Sequence, residues 1–259
     1  MSQFYILKVF ANEFSLIFNP KYMKLNVLQH PACETCQSRI KSVFCDLDDD
    51  SLKDLSIHKT CSIIPKGQTI FWEGNKAHGM YCINSGVVKL SILGVDGKEQ
   101  IVRMVKAGDI LGYRALITGE EYTSSAVAME DSTICHIPRE NFIKLLEENS
   151  ELSMGVMKLL SKELDTAERT ISSLAQKQVR ERVAETLLML KEFYGTEDDG
   201  FTIQVPVSRY DIASIVGTAR ETATRLLSEL KHEKVIDFDA KKIKILNPKE
   251  LILIANLTD

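Results

Sequence analysis

The stretch Ser208-Arg-Tyr-Asp-Ile-Ala-Ser-Ile-Val-Gly-Thr-Ala-Arg-Glu-Thr-Ala-Thr-Arg-Leu-Leu227 decides how this chain is read, because it has the spacing of two short helices around a tight turn. Ile212, Ala213 and Val216 put an apolar stripe on the first helix. Gly217 supplies a turn conformation that a residue with a Cβ resists. A second helix is predicted to open near Ala219, to run over 219–232, and to bury Ala223, Leu226, Leu227 and Leu230. Its other face carries Arg220, Glu221, Thr224 and Arg225, side chains suited to the edges of base pairs. Arg forks onto guanine, Glu accepts from the cytosine amino group, and the Thr methyl meets thymine. Ser208, Arg209 and Thr218, at the helix ends, complete a candidate DNA-contacting set. The competing reading of the stretch alone is a helical hairpin with a charged outer face.

Outward from this core, Val235–Phe238 and Lys242–Leu246 are predicted to form a hairpin around Asp239-Ala-Lys241, a wing whose Lys241 and Lys242 reach phosphates. Pro248 starts a last helix, to about Asn256. Upstream, a helix over Val179–Tyr194 carries Val183, Leu187, Leu188 and Leu190, an acidic turn spans Gly195–Gly200, and Phe201–Val205 reads as a strand. Between Pro206 and Lys249 nine Lys/Arg face six Asp/Glu, a local +3 that leaves −7 for the remainder of a chain of net charge −4. A basic end on an acidic body fits a duplex-binding module joined to something else.

Before that module Met157, Leu160, Leu164, Ala167, Ile171 and Leu174 step by threes and fours between polar flanks such as Lys162, Asp165, Glu168 and Arg169. So narrow a stripe is a coiled-coil seam and predicts a homodimer, since a helix lying on its own domain needs about 100° of apolar surface. The alternative is an intramolecular helix on the preceding domain.

After a short helix at 48–57, the chain from Ser62 to Ile137 runs as short β-rich pieces: 69–72, 79–83, 87–93, 100–104, 126–129 and 133–137. Glycine turns separate many of them, and Asp96-Gly97 between two of them is a hairpin signal. Such punctuation predicts a β-barrel or roll. The predicted fold is therefore α+β, with an N-terminal segment at 1–47, a β-roll at 48–137, a dimerisation helix region at 138–178 and a winged helix-turn-helix at 179–259. Met23 would serve as a start, so 1–22 reads as extra or disordered sequence. Neither a membrane span nor a signal peptide is legible, which predicts a cytoplasmic home in which the 6 cysteines are thiols or metal ligands rather than disulfides.

Roll, long helix and winged helix-turn-helix together resemble the CRP/FNR superfamily of bacterial transcription regulators, over about residues 30–256. The motifs that carry the likeness are Pro65-Lys-Gly-Gln-Thr-Ile-Phe71, Tyr81-Cys-Ile-Asn-Ser-Gly-Val-Val-Lys-Leu90, Gly108-Asp-Ile-Leu-Gly112 and Ser208–Leu227. The resemblance implies a dimer on a pseudo-palindromic operator, two recognition helices in successive major grooves, and RNA polymerase as a partner. It also implies that Arg220, Glu221 and Arg225 stand at the base-reading positions of the cyclic-AMP-receptor branch, whose half-sites resemble TGTGA. Thr224 stands where the oxygen-sensing branch has a serine.

That resemblance also frames the sensor. The cyclic-nucleotide branch holds its ligand with a Gly-Glu and an Arg-Ser; here those positions are Gly112-Tyr113 and Ser124-Ser125, so both charged partners are missing. Burying a phosphate without a fixed cation is costly, which speaks against cyclic AMP. The oxygen-sensing branch holds a [4Fe-4S] cluster on three N-terminal cysteines and one in a late strand. By that likeness the ligands are Cys33, Cys36, Cys45 and Cys135, with a wider Cys36–Cys45 gap than the family's. A zinc site of His30 with Cys33 and Cys36, a thiol switch, or free cysteines beside a roll of unknown ligand remain open. Cys61 and Cys82 read as buried packing residues. In the oxygen-sensing branch the aligned seam position is acidic, so Ala167 implies a permanent dimer here.

Two other classes stay in view. A β-roll metal-dependent enzyme needs a clustered ligand set, whereas His58, His78 and His136 are scattered. A ligand-binding module acting through a protein partner would leave the Arg220–Arg225 surface idle.

Overall fold

The computed structural model describes residues 31–205, 207–239 and 242–257. Residues 1–30, with the expected extra segment at 1–22 and His30, lie outside them, and so does Lys241. Two 3-10 turns at Cys33–Thr35 and Gln37–Lys41 lead into helix α1 (Asp49–His58). Asp48 caps α1, its carboxylate accepting from the N–H groups of Asp50 and Ser51 at 3.0 and 2.9 Å.

The roll follows as two antiparallel four-stranded sheets. One has the order β1 (Thr60–Ile64), β8 (Ser132–Pro138), β3 (Gly79–Ser85), β6 (Ile110–Leu111). The other has the order β2 (Thr69–Phe71), β7 (Ser125–Ala128), β4 (Val87–Leu93), β5 (Glu99–Lys106). Their inner faces bury Met80, Ile83, Val88, Val105, Ile110, Leu111, Ala126 and Ile137 in one core. Gly86 makes the turn from β3 to β4 at φ 93°, with Ser132 so close that a Cβ would stand 2.2 Å from its Oγ.

Helix α2 (Tyr113–Thr118) interrupts the roll between β6 and β7. Helix α3 (Arg139–Glu148) closes the roll on Phe142 and Leu145, and α4 (Ser150–Gln176) runs on for 27 residues. Asn149 divides the two, leaving α3 in an extended conformation while its Oδ1 accepts from Leu152 N at 2.8 Å to cap α4. A second core gathers α5 (Val179–Tyr194), α6 (Arg209–Val216), α7 (Arg220–His232), the hairpin β9 (Ile236–Asp239) and β10 (Lys242–Ile245), and α8 (Pro248–Ile254).

The expected strand at 201–205 is not one. Thr202 and Ile203 make only isolated bridges, to Lys244 and Thr196. The loop is held instead by Asp199, whose carboxylate takes the N–H of Phe201 and of Thr202 and the Thr202 hydroxyl, at 2.9, 2.8 and 2.6 Å. The expectation of thiols without disulfides also fails: Cys61 and Cys135, paired in register on β1 and β8, are joined by a disulfide. No helix among the described residues is long and apolar enough to cross a membrane.

Candidate nucleic-acid interface

Ser208 starts α6, its Oγ accepting from Asp211 N at 3.0 Å and donating to Asp211 Oδ2 at 2.5 Å. Ile212, Ala213 and Val216 face the core, and Gly217 ends the helix in the left-handed region at φ 71°, ψ 49°. The N–H groups of Gly217 and Thr218 both return to Ala213 O, at 3.0 and 3.1 Å, which closes the turn. Arg182 of α5 braces it, donating to Val216 O at 3.1 Å and to Lys177 O at 2.7 Å.

Ala219 caps α7, whose Ala223, Leu226, Leu227 and Leu230 are buried. Each buried leucine stabilises the fold by about 1.5–3 kcal/mol and fixes the helix's rotation. The opposite face is thereby committed to solvent: Arg220, Glu221 and Arg225 are exposed, and Thr224 is half-buried with its hydroxyl donating to Arg220 O at 2.8 Å. Arg225 pairs with Glu229 one turn on. Arg220 lines a cleft of about 580 Å³ that also receives Lys66, Lys89, Tyr194 and Arg209. Arg209 is exposed, its guanidinium 4.6 Å from the centre of the Phe238 ring on the wing. Lys242 is half-buried and paired with Glu197. Thus Ser208, Arg209 and Arg220 line one cleft, Glu221, Thr224 and Arg225 follow on α7, and Thr218 stands in the turn between the helices.

The seam residues divide. Met157, Leu164, Ile171 and Leu174 are 51, 61, 65 and 41 % exposed on α4, and Ala167 is exposed among them. Leu160 instead packs, half-buried, against the roll's core. An apolar stripe left in solvent over so many turns is costly in a lone chain.

At the cyclic-nucleotide positions, Tyr113 is buried and its hydroxyl donates to Glu163 Oε1 of α4 at 2.6 Å. Arg103 of β5 pairs with the same carboxylate. Burial first, and Glu163 second, push the Tyr113 phenol well above its ordinary range. The roll's interior beside it is filled by rings: Tyr122 stacks on Phe71 at 4.0 Å and Phe71 on Tyr81 at 5.6 Å. Ser125 Oγ accepts from Glu73 N at 3.0 Å, and Ser124 is half-buried beside it.

The four cysteines of the expected cluster are not brought together as a ligand set. Cys33 and Cys36 line a small cavity with Cys82 and Cys135, but Cys135 is bonded to Cys61. Cys45 lies outside that cavity, exposed, with its thiol donating to Asp46 Oδ2 at 3.2 Å. Among the described residues no group of three or more His, Cys, Asp or Glu side chains is placed to hold a metal. The sequence reads Cys82 as packing alone, since its place beside Cys135 depends on strand register, and nothing in the spacing singles out Glu163.

Residues 63–149 match the cyclic nucleotide-binding domain family, and residues 181–254 match the Crp-like helix-turn-helix domain. The chain is 31% identical over 230 residues to the fumarate and nitrate reduction regulatory protein of Vibrio cholerae serotype O1, covering 87% of this chain and 91% of that protein. It is 33% identical over 189 residues to the global nitrogen regulator of a Nostoc species, covering 72% and 85%. Among solved structures, FixK2 from Bradyrhizobium japonicum superimposes with a TM-score of 0.69 at 26% identity, covering 78% of this chain and 99% of that one. A CRP/FNR-family transcriptional regulator from Thermus thermophilus does so with a TM-score of 0.66 at 27% identity, covering 77% and 100%.

Proposed function

The chain belongs to the CRP/FNR family of DNA-binding transcription regulators, which are not enzymes, and from that membership we propose that it acts as a homodimer on a pseudo-palindromic operator. The observation that carries this reading is the commitment of α7: three leucines buried on one side oblige Arg220, Glu221 and Arg225 to stand in solvent on the other. Arg220 and Arg225 are the donors to guanine in each half-site, with Glu221 and Thr224 completing base contact. Ser208, Arg209, Thr218 and Lys242 serve the phosphates, as does Lys241 by its place in the wing sequence. The exposed seam Met157–Leu164–Ala167–Ile171–Leu174 supports pairing of two α4 helices, and with no charge in it the dimer is permanent. RNA polymerase is the protein partner and the cytoplasm the place of action.

The signal is received by the roll and the N-terminal cysteines. Tyr113 and the stacked rings occupy the region where a nucleotide would seek an acidic and a basic partner, which supports a sensor that does not use cyclic AMP. A [4Fe-4S] cluster, which would supply oxygen-labile redox chemistry, does not fit the cysteines as they stand. It would require Cys135 to part from Cys61 and a fourth thiolate beside Cys33 and Cys36; Cys82 already lines that cavity, and Cys45 does not.

The test is selection of operators from a random duplex library, then anisotropy with wild type and the Arg220→Ala/Arg225→Ala double variant. A selected palindrome, with discrimination against random duplex lost in the variant, is expected. Equal discrimination by both proteins would overturn the reading.

A further inference from the structure

Three cysteines stand in one row across three neighbouring strands. Cys61 on β1 is registered with Cys135 on β8, and Cys135 with Cys82 on β3. Residues in register share a face of the sheet, their Cβ atoms about 4.5–5.5 Å apart. Cys82 and Cys135 of this row line the cavity of about 40 Å³ that Cys33 and Cys36 also line, and Cys61 joins them through its bond to Cys135. Cys33 and Cys36 lie one 3-10 turn apart, with Cys36 N donating to Cys33 O at 3.3 Å. Five of the 6 cysteines therefore gather at one place, two as a disulfide and three as thiols. Two of the thiols carry donors: the buried Lys59 gives a hydrogen bond from Nζ to Cys33 Sγ at 3.0 Å, and Asn84 one from Nδ2 to Cys36 Sγ at 3.3 Å. A thiolate formed on either sulfur keeps that donor.

We propose that this cluster is a thiol–disulfide relay that passes one disulfide, by way of Cys82, between the Cys61–Cys135 position and the Cys33–Cys36 position. In the first exchange the Cys82 thiolate attacks Sγ of Cys135. The Cys82–Cys135 bond forms, the Cys61–Cys135 bond breaks, and Cys61 leaves with the electron pair and takes up the proton that Cys82 gave up. The Cys33 thiolate then attacks Sγ of Cys82 and releases Cys135. Last, Cys36 attacks Sγ of Cys33 and releases Cys82, the protons of Cys33 and Cys36 passing to the two released sulfurs. Cys33 and Cys36 have then lost two electrons and Cys61 and Cys135 have gained two, so no outside oxidant or reductant is consumed. Each exchange proceeds through a thiolate, so the relay quickens with alkalinity.

The disulfide at Cys61–Cys135 ties β1 to the strand that runs into α3, whereas at Cys33–Cys36 it would close only one turn of chain. Any effect of the relay on operator affinity rests on the DNA-binding function proposed above; the relay itself does not. It is tested on the full chain without DNA, from two starting points. One is protein carrying Cys61–Cys135; the other is fully reduced protein given one equivalent of oxidised glutathione. Each is held anaerobically at pH 7 and pH 9, quenched in acid, alkylated, and mapped for disulfides by mass spectrometry. Both starts should converge on the same ratio of the two linkages, faster at pH 9, and in Cys82→Ala convergence should slow at least tenfold. Circular dichroism of that variant checks its fold, and the wild-type arm needs no substitution. Two starts that never converge in wild type at pH 9, or a Cys82→Ala protein that converges as fast as wild type, would overturn the relay.

Discussion

Arg225 is exposed on α7 yet already engaged, since Glu229 sits one turn along and pairs with it. An exposed pair of this kind contributes about 0–1 kcal/mol, whereas a bidentate contact to guanine discriminates by about 1–3 kcal/mol, so DNA wins the guanidinium. Arg225→Ala is therefore expected to weaken the preferred operator about 5- to 150-fold relative to random duplex, the same energies as a ratio. Glu229→Gln should tighten binding a little, by removing both the competitor and a negative charge near phosphates; anisotropy titrations at fixed salt measure both. Asp199 gives a second prediction at this scale. The Thr202 hydroxyl first, then the N–H groups of Thr202 and Phe201, pull its carboxyl from 3.8 down to about 2. A depressed carboxylate contributes stability that is present above the unfolded value and lost as pH falls through the folded one. The melting midpoint of the winged region should accordingly fall between pH 4 and pH 2. Asp199→Asn should melt lower at pH 7 and lose that part of the pH dependence in calorimetry. Of these residues the arginines were legible in sequence because their helix is short and its buried side unambiguous. Asp199 was not, because its partners act in a loop where no periodicity points to them.

At the scale of elements the 3-and-4 spacing of the seam was legible over α4, but its division was not. Leu160 has turned toward the roll while Leu164 and Ile171 remain in solvent. The two kinds of position should respond differently. Leu164→Glu or Ile171→Glu places a charge in the seam and should shift the protein to monomer in multi-angle light scattering, with circular dichroism unchanged. Leu160→Ala should lower the unfolding midpoint instead, since it removes packing inside one chain; a full cavity would cost about 2–5 kcal/mol, and a half-buried site less. The roll's longer strands could be found from their apolar runs and glycine turns. β6 has only two residues, too few to show a period, and the strand expected at 201–205 fails because Asp199 satisfies two of that loop's N–H groups with a side chain. The boundary at Asn149 was likewise hidden: helical spacing continues on both sides, and only the capping geometry reveals the break. Cys82 shows the same limit from the other side. Its apolar surroundings read as ordinary core, and the pairing of β3 with β8, decided 53 residues away in the chain, is what sets it beside Cys135.

At the scale of the whole molecule, the roll holds the DNA-binding module through polar contacts that no local pattern announces. Lys89 of β4 bridges Glu99 at 2.8 Å and Asp211 of α6 at 3.2 Å. Gln100 donates to Ile215 O at 3.1 Å, and Lys106 to Phe193 O at 2.8 Å. Gly217 lies so close to this surface that a Cβ there would stand 3.0 Å from Gln100 Oε1 and 3.3 Å from Leu174 on α4. The recognition turn thus touches both the sheet and the long helix, and Arg220 at the start of α7 faces the cleft beside Lys66 and Lys89. Arg220 is exposed at the mouth of that cleft, and setting it fully into a duplex groove is expected to draw α6 away from β4 and β5. Lys89 is the tie that resists: its side chain is 12 % exposed, and a hydrogen-bonded charge of this kind holds with about 1.5–3 kcal/mol. Lys89→Ala should therefore free the module. Hydrogen exchange should quicken in α6, and operator affinity should rise up to about tenfold, the equivalent of about 1.4 kcal/mol. The salt dependence of binding should stay nearly unchanged, because Lys89 does not neutralise phosphate in this scheme. If affinity falls and the salt slope flattens by about one ion, Lys89 is itself a phosphate contact and the cleft is part of the DNA path rather than a restraint on it.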